Sequence, residues 1–132
     1  MHLLILGCGD IGTRVGFSMR EAGWHVSAAR RHASKLSERF DRYQVDLTDP
    51  VSMAALPVLD PDYILITPTP QSYDPEGYHS GFTQAATLLA EQPWLLACRR
   101  VIWVSSTRVY REAAGGWVDE YSPLNVSEPQ AR

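Results

Sequence analysis

The first twelve residues contain three glycines at a spacing that suits phosphate binding. Gly7, Gly9 and Gly12 form the pattern G-x-G-x-x-G between an apolar run, His2–Leu6, and an amphipathic stretch that begins at Ile11. In that context the first glycine permits a tight turn, the second lets backbone approach a pyrophosphate, and the third lets a helix pack closely on a strand. The helix N-terminus adds N–H groups and partial positive charge. We therefore expect a dinucleotide site here, although a strand-to-helix turn without a ligand is the alternative. Its expected contact residues are Gly7, Gly9, Asp10, Ile11 and Gly12.

Two arginines stand where a site for NAD usually carries an acidic residue. Arg30 and Arg31 follow the second apolar run, Trp24–Ala29. A carboxylate at this place accepts hydrogen bonds from the ribose hydroxyls, whereas a guanidinium suits a 2′-phosphate. We therefore expect NADP as the cofactor, with NAD as the alternative. The two arginines can also be read as solvated residues at the start of a helix.

Further candidates follow the third and fourth apolar runs. Asp46 can accept a hydrogen bond from an adenine amino group, with Leu47 covering the edge of the ring, but the same segment can also cap the next helix. Thr67 can contact the ribose or the nicotinamide. The segment 68–81 after it, rich in Pro, Ser and Gly, is expected to be a loop, and an ordinary surface loop is as good a reading as a binding loop.

Three consecutive hydroxyls follow the fifth apolar run, in the segment V-S-S-T-R-V-Y (Val104–Tyr110). A hydroxyl at that position can point into a crevice and hydrogen-bond a substrate carbonyl. On spacing alone, turn and capping chemistry is the more ordinary explanation.

These residues need a scaffold that brings the strand ends together. Strand and helix patterns alternate along the chain, which predicts an α/β Rossmann-type fold: a doubly wound parallel sheet with helices on both faces and strand order 3-2-1-4-5. Ligands bind such sheets beyond the carboxyl ends of the strands. Helical patterns cover 11–22, 30–40, 50–56 and 82–91, and mainly loop is expected after residue 106. The predicted strands are His2–Leu6, Trp24–Ala29, Tyr43–Val45, Tyr63–Thr67 and Arg100–Ser105.

Composition narrows the class of protein. The 132 residues suit one globular domain, and the formal net charge of −3 favours neither nucleic acid nor an anionic membrane as a partner. The two cysteines and four histidines show no metal-ligand spacing. The sequence contains neither a membrane-spanning apolar segment nor the basic leader of a signal peptide, so we expect a cytoplasmic protein with a small-molecule substrate.

The motifs G-C-G-D-I-G, V-D-L-T-D-P, V-S-S-T-R-V-Y and W-V-D-E-Y-S-P, in this order, resemble the extended short-chain dehydrogenase/reductase superfamily. The similarity is to the NAD(P)-dependent epimerase/dehydratase family, and to its atypical bacterial members. The resemblance implies an oxidoreductase or epimerase acting on a sugar-nucleotide-like or small carbonyl substrate. It implies that Ser106 is the catalytic Ser/Thr, with Thr107 beside it. It also implies that Asp46 and Leu47 are the adenine-binding pair.

The sequence departs from the family pattern in three places. Leu6 replaces the first glycine of G-x-x-G-x-x-G, and Arg111 stands where many members have glycine. The Tyr-x-x-x-Lys acid/base motif is missing, and the only lysine is Lys35. Ser106 can therefore polarise a substrate, but the family's proton relay is not present. We interpret residues 1–132 as an NAD(P)-binding domain that lacks a C-terminal substrate-binding part and is catalytically incomplete by itself.

Two other functions fit parts of the sequence. A nucleotide-sensing regulatory module of the potassium-transport-regulator type has a similar length and a G-C-G-x-x-G loop, but its second strand normally ends in an acidic residue. A degenerate scaffold that binds nothing is the third reading. Missing later strands would leave an apolar sheet edge and faces uncovered, so we expect a homo-oligomer, a dimer or a larger assembly.

Overall fold

A computed structural model describes residues 1–127 of the chain. It contains a five-stranded parallel sheet in the order β3-β2-β1-β4-β5, which confirms the predicted fold class and strand order. The last part of the predicted loop, residues 128–132, lies outside the described residues. The strands are β1 (His2–Leu6), β2 (His25–Arg30), β3 (Asp41–Gln44), β4 (Tyr63–Ile66) and β5 (Arg100–Trp103).

The helices cover both faces of this sheet. None of those between residues 1 and 127 is long and apolar enough to cross a bilayer. A π-helical segment, His79–Gln84, joins two α-helices, and short 3-10 turns lie at Ala33–Lys35 and Thr107–Val109. The α-helices are α1 (Asp10–Glu21), α2 (Pro50–Ala54), α3 (Pro75–Tyr78), α4 (Ala85–Ala90) and α5 (Pro93–Ala97).

The core lies on both sides of β1, whose apolar run alternates between two clusters. Leu3 and Ile5 pack under α1, and Leu4 and Leu6 pack on the opposite face, all at most 4% exposed. A strand buried on both faces needs a continuous apolar sequence, which is what H-L-L-I-L provides. Burial of each such side chain stabilises the fold by about 1.5–3 kcal/mol. The glycine turn that follows β1 is therefore anchored at the centre of the molecule.

The edge strand β5 is much less covered than its neighbour. Ile64, Leu65 and Ile66 of β4 are at most 5% exposed, whereas Val101 and Ile102 of β5 are 39% and 47% exposed. Within residues 1–127, β5 pairs with β4 alone. Its outer edge therefore presents unpaired backbone groups beside apolar side chains.

Several predicted elements differ from the structure. The helical pattern over 30–40 is wrong: only the 3-10 turn forms, although Leu36 and Phe40 are buried as the spacing suggested. The ten residues between β2 and β3 cross from one end of the sheet to the other, and Ser37 turns the chain by accepting a hydrogen bond from Arg39 N. Strand β3 begins two residues earlier than predicted, because its pairing to β2 starts at the polar residue Asp41.

The predicted loop 68–81 is wrong in its second half, because α3 begins within it. Asp74 caps this helix by accepting a hydrogen bond from Gly77 N at 2.7 Å, and Pro75 occupies the first helical position. That bond, followed by one from the Ser72 hydroxyl, holds the pKa of Asp74 below its usual value. The sequence pattern does not predict helix α5, because Pro93 suits the stop after α4 and in the structure also starts the next helix.

Candidate functional site

The glycine turn connects β1 to α1 at the carboxyl edge of the sheet. Gly7 has φ +75°, and a Cβ there would lie 2.5 Å from the carbonyl oxygen of Thr67. The amides of Gly7 and Cys8 both donate to the carbonyl of Ala29 at 3.0 Å, which fixes the turn to the adjacent strand. At Gly12 a Cβ would lie 2.8 Å from Ile5 Cγ2, so close packing of helix on strand requires glycine. The steric roles predicted for the first and third glycines are confirmed.

Gly9 has a different environment. A Cβ built there would meet only the carbonyl oxygen of Gly7, at 3.8 Å, an ordinary contact distance. No neighbour within the described protein therefore requires glycine at this position. Gly9 is the N-cap of α1 and makes no side-chain cap, so the first-turn amides of a twelve-residue helix face this space. The space suits a pyrophosphate that approaches the backbone.

Cys8 and Thr67 support the turn from inside. Burial raises the pKa of the Cys8 thiol, whose Sγ lies 3.7 Å from Thr13 Oγ1. Thr67 is 9% exposed, and its hydroxyl donates to the carbonyl of Gly7 at 2.8 Å. The Thr67 hydroxyl thus holds the turn closed from the neighbouring strand.

One small cavity of about 120 Å³ brings together most of the residues proposed for cofactor binding. It lies at the carboxyl ends of β1, β2, β3 and β4, where the strand order reverses between β1 and β4. Asp10 and Ile11, in contrast, are exposed on the first turn of α1, where Asp10 pairs with Arg14 at 3.1 Å, and Gly12 is buried beneath it. The proposed residues that line the small cavity are Gly7, Gly9, Arg30, Arg31, Asp46, Leu47 and Thr67.

The two arginines enter this cavity from the end of β2. Arg30 is the last residue of the strand and is partly buried, and its carbonyl accepts a hydrogen bond from Val45 N at 3.1 Å. Arg31 is exposed, and its Nη1 donates to Gln71 Oε1 at 2.7 Å. Two guanidinium groups at one cavity wall offer positive charge and N–H donors to an anion.

Asp46 takes part in the turn before α2 and also lines the small cavity. Its Oδ1 accepts hydrogen bonds from Thr48 N at 2.9 Å and from Thr48 Oγ1 at 2.7 Å, while Asp49 caps α2 by accepting from Val51 N. Both bonds to the Asp46 carboxylate use one oxygen, so a side chain engaged in the turn still lines the cavity.

Helix α3, the π-helical segment and α4 follow one another without a break and form one continuous helix, the helix 75–90. A second, larger cavity of about 730 Å³ opens between this helix and the end of β5. Ser106 lies in its wall and caps the following 3-10 turn by accepting from Arg108 N at 3.3 Å. Thr107 starts that turn, is exposed, and is not among the described lining residues. The structure therefore separates two hydroxyls that the sequence placed together. The remaining lining residues are Tyr78, Phe82, Thr83, Ala86, Thr87, Trp103, Ser105, Arg108 and Val109.

Aromatic rings form one wall of the large cavity. The rings of Tyr78 and Phe82 are stacked with centroids 5.7 Å apart, and the Arg108 guanidinium carbon lies 6.0 Å from the centroid of Tyr78. The cavity thus combines hydroxyls, one guanidinium and an aromatic wall. Within residues 1–127 no three His, Cys, Asp or Glu side chains are placed to hold a metal ion.

No family model matches the sequence, and no curated protein matches it. Solved structures do match it. A UDP-galactose 4-epimerase has a TM-score of 0.80 at 19% identity, covering 99% of this chain and 47% of that one. A UDP-glucuronic acid 4-epimerase from Bacillus cereus, in complex with NAD, has a TM-score of 0.68 at 19% identity, with coverage of 99% and 48%. A protein of Methylobacillus flagellatus described as an NAD-dependent epimerase/dehydratase has a TM-score of 0.66 at 26% identity, with coverage of 93% and 43%.

The chain has the epimerase/dehydratase fold. The resemblance drawn from the motifs is confirmed at this level, and the chain spans just under half the length of these structures. The similarities give no support to the regulatory alternative. At such low identity the epimerase/dehydratase fold does not carry an activity, which has to be argued from the two cavities.

The sequence reasoning missed the residues that reach the cavities from the helix 75–90 and from the loop before it. Gln71 and Gly81 line the small cavity, and Tyr78 and Phe82 line the large one. The available signal was D-P at 74–75, a helix start hidden in a segment rich in proline. Recognising it would have placed a helix at the carboxyl edge of the sheet.

Proposed function

We propose that this chain is an NADP-binding domain of an epimerase/dehydratase-type oxidoreductase. The observation that carries the proposal is the open space at Gly9, where no described protein atom excludes a side chain, beside the free start of α1. A pyrophosphate placed there would receive N–H groups from the helix. The proposal agrees with the NAD bound to the Bacillus cereus epimerase of the same fold.

The small cavity supports binding of the adenosine end. Arg30 and Arg31 would hold the 2′-phosphate through charge-assisted hydrogen bonds. Asp46 Oδ2, which takes no part in the bonds to Thr48, is the oxygen that we assign to the adenine amino group, and Leu47 would cover the edge of the ring. The residues present therefore fit NADP better than NAD.

The large cavity is the proposed place of the substrate. Ser106 would hydrogen-bond the reacting carbonyl or hydroxyl, and the aromatic wall would pack against the carbon skeleton. The cofactor would supply or accept a hydride when bound. We assign to the substrate the class of sugar-nucleotide-like or small carbonyl compounds, and to residues 1–132 the cofactor-binding part of the reaction.

Titration with NADPH and NADH, followed by tryptophan fluorescence or calorimetry, tests this proposal. We expect tighter binding of NADPH by at least about tenfold, because hydrogen bonds to a charged group contribute roughly 1.5–3 kcal/mol. Arg30→Asp should abolish the preference. Arg42→Asp makes the same charge change on exposed β3, away from the cavity, and should retain the preference.

Two results would count against the proposal. Tighter binding of NADH by the wild-type chain would overturn the NADP assignment alone. Binding of neither nucleotide at millimolar concentration would overturn the nucleotide site and favour the scaffold reading.

A further inference from the structure

Four residues of the small cavity form one chain of hydrogen bonds across its mouth. Arg31 Nη1 donates to Gln71 Oε1 at 2.7 Å, and Gln71 Nε2 donates to Thr48 Oγ1 at 3.0 Å. The Thr48 hydroxyl then donates to Asp46 Oδ1 at 2.7 Å. The chain links the arginine assigned to the 2′-phosphate with the aspartate assigned to adenine, and Gln71 is its central member.

The backbone that carries Gln71 is held in place by the helix behind it. Gln71 N donates to the carbonyl of Gly77 at 3.0 Å. Gly77 packs so closely on Ser72 that a Cβ would overlap it, and a Cβ at Gly81 would lie 2.5 Å from the carbonyl oxygen of Thr69. Two glycines on one side of the helix therefore seat the loop directly on helix backbone. Gln71 extends from a fixed support, although its side chain is exposed.

We propose that Gln71 is a positioning residue for recognition of the 2′-phosphate. It contacts Arg31 through one of the five guanidinium N–H groups and leaves the others for an anion. A free arginine on the surface loses side-chain entropy when it is ordered by a ligand, and the bond to Gln71 orders it beforehand. The inference rests on the proposed function, because it assigns Gln71 a part in the selectivity of that site.

The bond to Thr48 gives the glutamine its orientation. With Nε2 committed to Thr48 Oγ1, the carboxamide must present Oε1 to Arg31, the only polarity that a guanidinium can use. A glutamate at this position would lose the donor to Thr48 and would pair its charge with Arg31. That carboxylate would compete with the phosphate for the same cation.

Calorimetric titration of the 132-residue chain with adenosine 2′,5′-bisphosphate and with adenosine 5′-monophosphate tests the inference. Gln71→Ala should weaken binding of the bisphosphate by about three- to tenfold and change binding of the monophosphate by less than about twofold, since only the 2′-phosphate uses Arg31. Gln71→Glu should weaken the bisphosphate further. Gln84→Ala is the matched control, because Gln84 is also a glutamine bonded to Thr48, but its Nε2 donates to the backbone carbonyl of Thr48, at 3.2 Å, and not to the hydroxyl. It should keep the wild-type ratio of the two affinities.

The outcomes separate this inference from the proposed function. If Arg31→Ala abolishes the wild-type preference for the bisphosphate and Gln71→Ala keeps it in full, the role of Gln71 is overturned and the NADP site stands. Equal weakening of both ligands by Gln71→Ala would show a role in loop structure alone and would also overturn it. Tighter binding of the bisphosphate by Gln71→Ala would show a competitor instead of a positioning residue. If the wild-type chain binds neither ligand, the proposed function fails and this inference fails with it.

Discussion

The two cavities at the carboxyl edge of the sheet differ in size and in which part of the sheet borders them. The small cavity lies mainly at the ends of the interior strands β1, β2 and β4, beside the turn in which Gly7 packs against Thr67 and Gly12 against Ile5. The large cavity is bordered by β5, whose Val101 and Ile102 are partly open to solvent. The small cavity is thus built mainly on buried strands, and the large cavity borders a partly exposed edge strand.

This difference agrees with the two roles that we propose for the cavities. Recognition of a nucleotide needs fixed backbone donors and a fixed turn, and a central strand supplies both. Recognition of a substrate needs a shaped, enclosed pocket, and the large cavity has one wall of aromatic rings and one loop with Ser106. We therefore expect changes at the glycine turn to alter nucleotide binding and changes at β5 to alter association.

The largest expected effect comes from the glycine turn. Gly9→Ala should weaken NADPH binding by about 10- to 100-fold, because the added methyl group occupies the space of the phosphate, which corresponds to the roughly 1–3 kcal/mol cost of overpacking. The free energy of unfolding should fall by less than about 1 kcal/mol, the cost of alanine at an N-cap. Calorimetry and thermal unfolding measure the two quantities.

Gly12→Ala is the counterpart that sharpens this comparison. Its Cβ would lie 2.8 Å from Ile5 Cγ2 in the core, so the free energy of unfolding should fall by about 1–3 kcal/mol. If Gly9→Ala destabilises the chain as much as Gly12→Ala, the space at Gly9 serves packing and not a ligand.

A smaller effect is expected at the open edge. We expect the chain to associate through β5, and Ile102→Lys should weaken that association by about tenfold or more, because it removes an apolar contact worth roughly 1.5–3 kcal/mol and adds a charge. Val51→Lys, on exposed α2, is the control for surface charge. Sedimentation velocity over a concentration series provides the measurement. A wild-type chain that stays monomeric at every concentration would contradict the expectation.

The smallest expected effect is a pH dependence of stability that comes from His2, far from both cavities at the amino end of the sheet. Burial lowers the pKa of His2 below 6.5, with the neighbouring His25 as a second cause, and His2 Nε2 lies 2.8 Å from Ser27 Oγ. The unfolded chain therefore takes up the proton first as pH falls. Stability should be complete above about pH 6.5 and should decrease as pH falls below it.

Thermal unfolding between pH 7.5 and 5.5 measures this effect. His2→Gln should show a shallower decrease in Tm over that range than the wild-type chain. The opposite order would mean that His2 is stabilised in its charged form, in which case Asp62, which accepts from His2 N at 2.8 Å, dominates over burial.

Local patterns predicted the sheet and the glycine turn well, because β1 is a continuous apolar run and the three glycines lie together between that strand and the helix that follows it. They failed where long-range packing decides. Phe40 is buried against Gly16 without a helix around it, and β3 pairs through polar residues because its backbone, not its side chains, meets β2. Gln71 reaches the small cavity through its contact with Arg31, and Arg108 reaches the large cavity through its contact with Tyr78. Each contact joins residues far apart in the sequence, and no motif of short spacing predicts such a contact.

The seating of loop 69–72 on the glycines of the helix has a mechanical consequence. The side of the helix that carries Gly77 and Gly81 supports Gln71, and the same helix presents Tyr78 and Phe82 to the large cavity. Apart from the Ser72 hydroxyl, the loop atoms nearest to these two glycines are backbone atoms, so we expect a tilt of the helix to move the loop with it. A ligand that displaced the rings of Tyr78 and Phe82 would then also displace Gln71. The helix would in this way couple two cavities that have no lining residue in common.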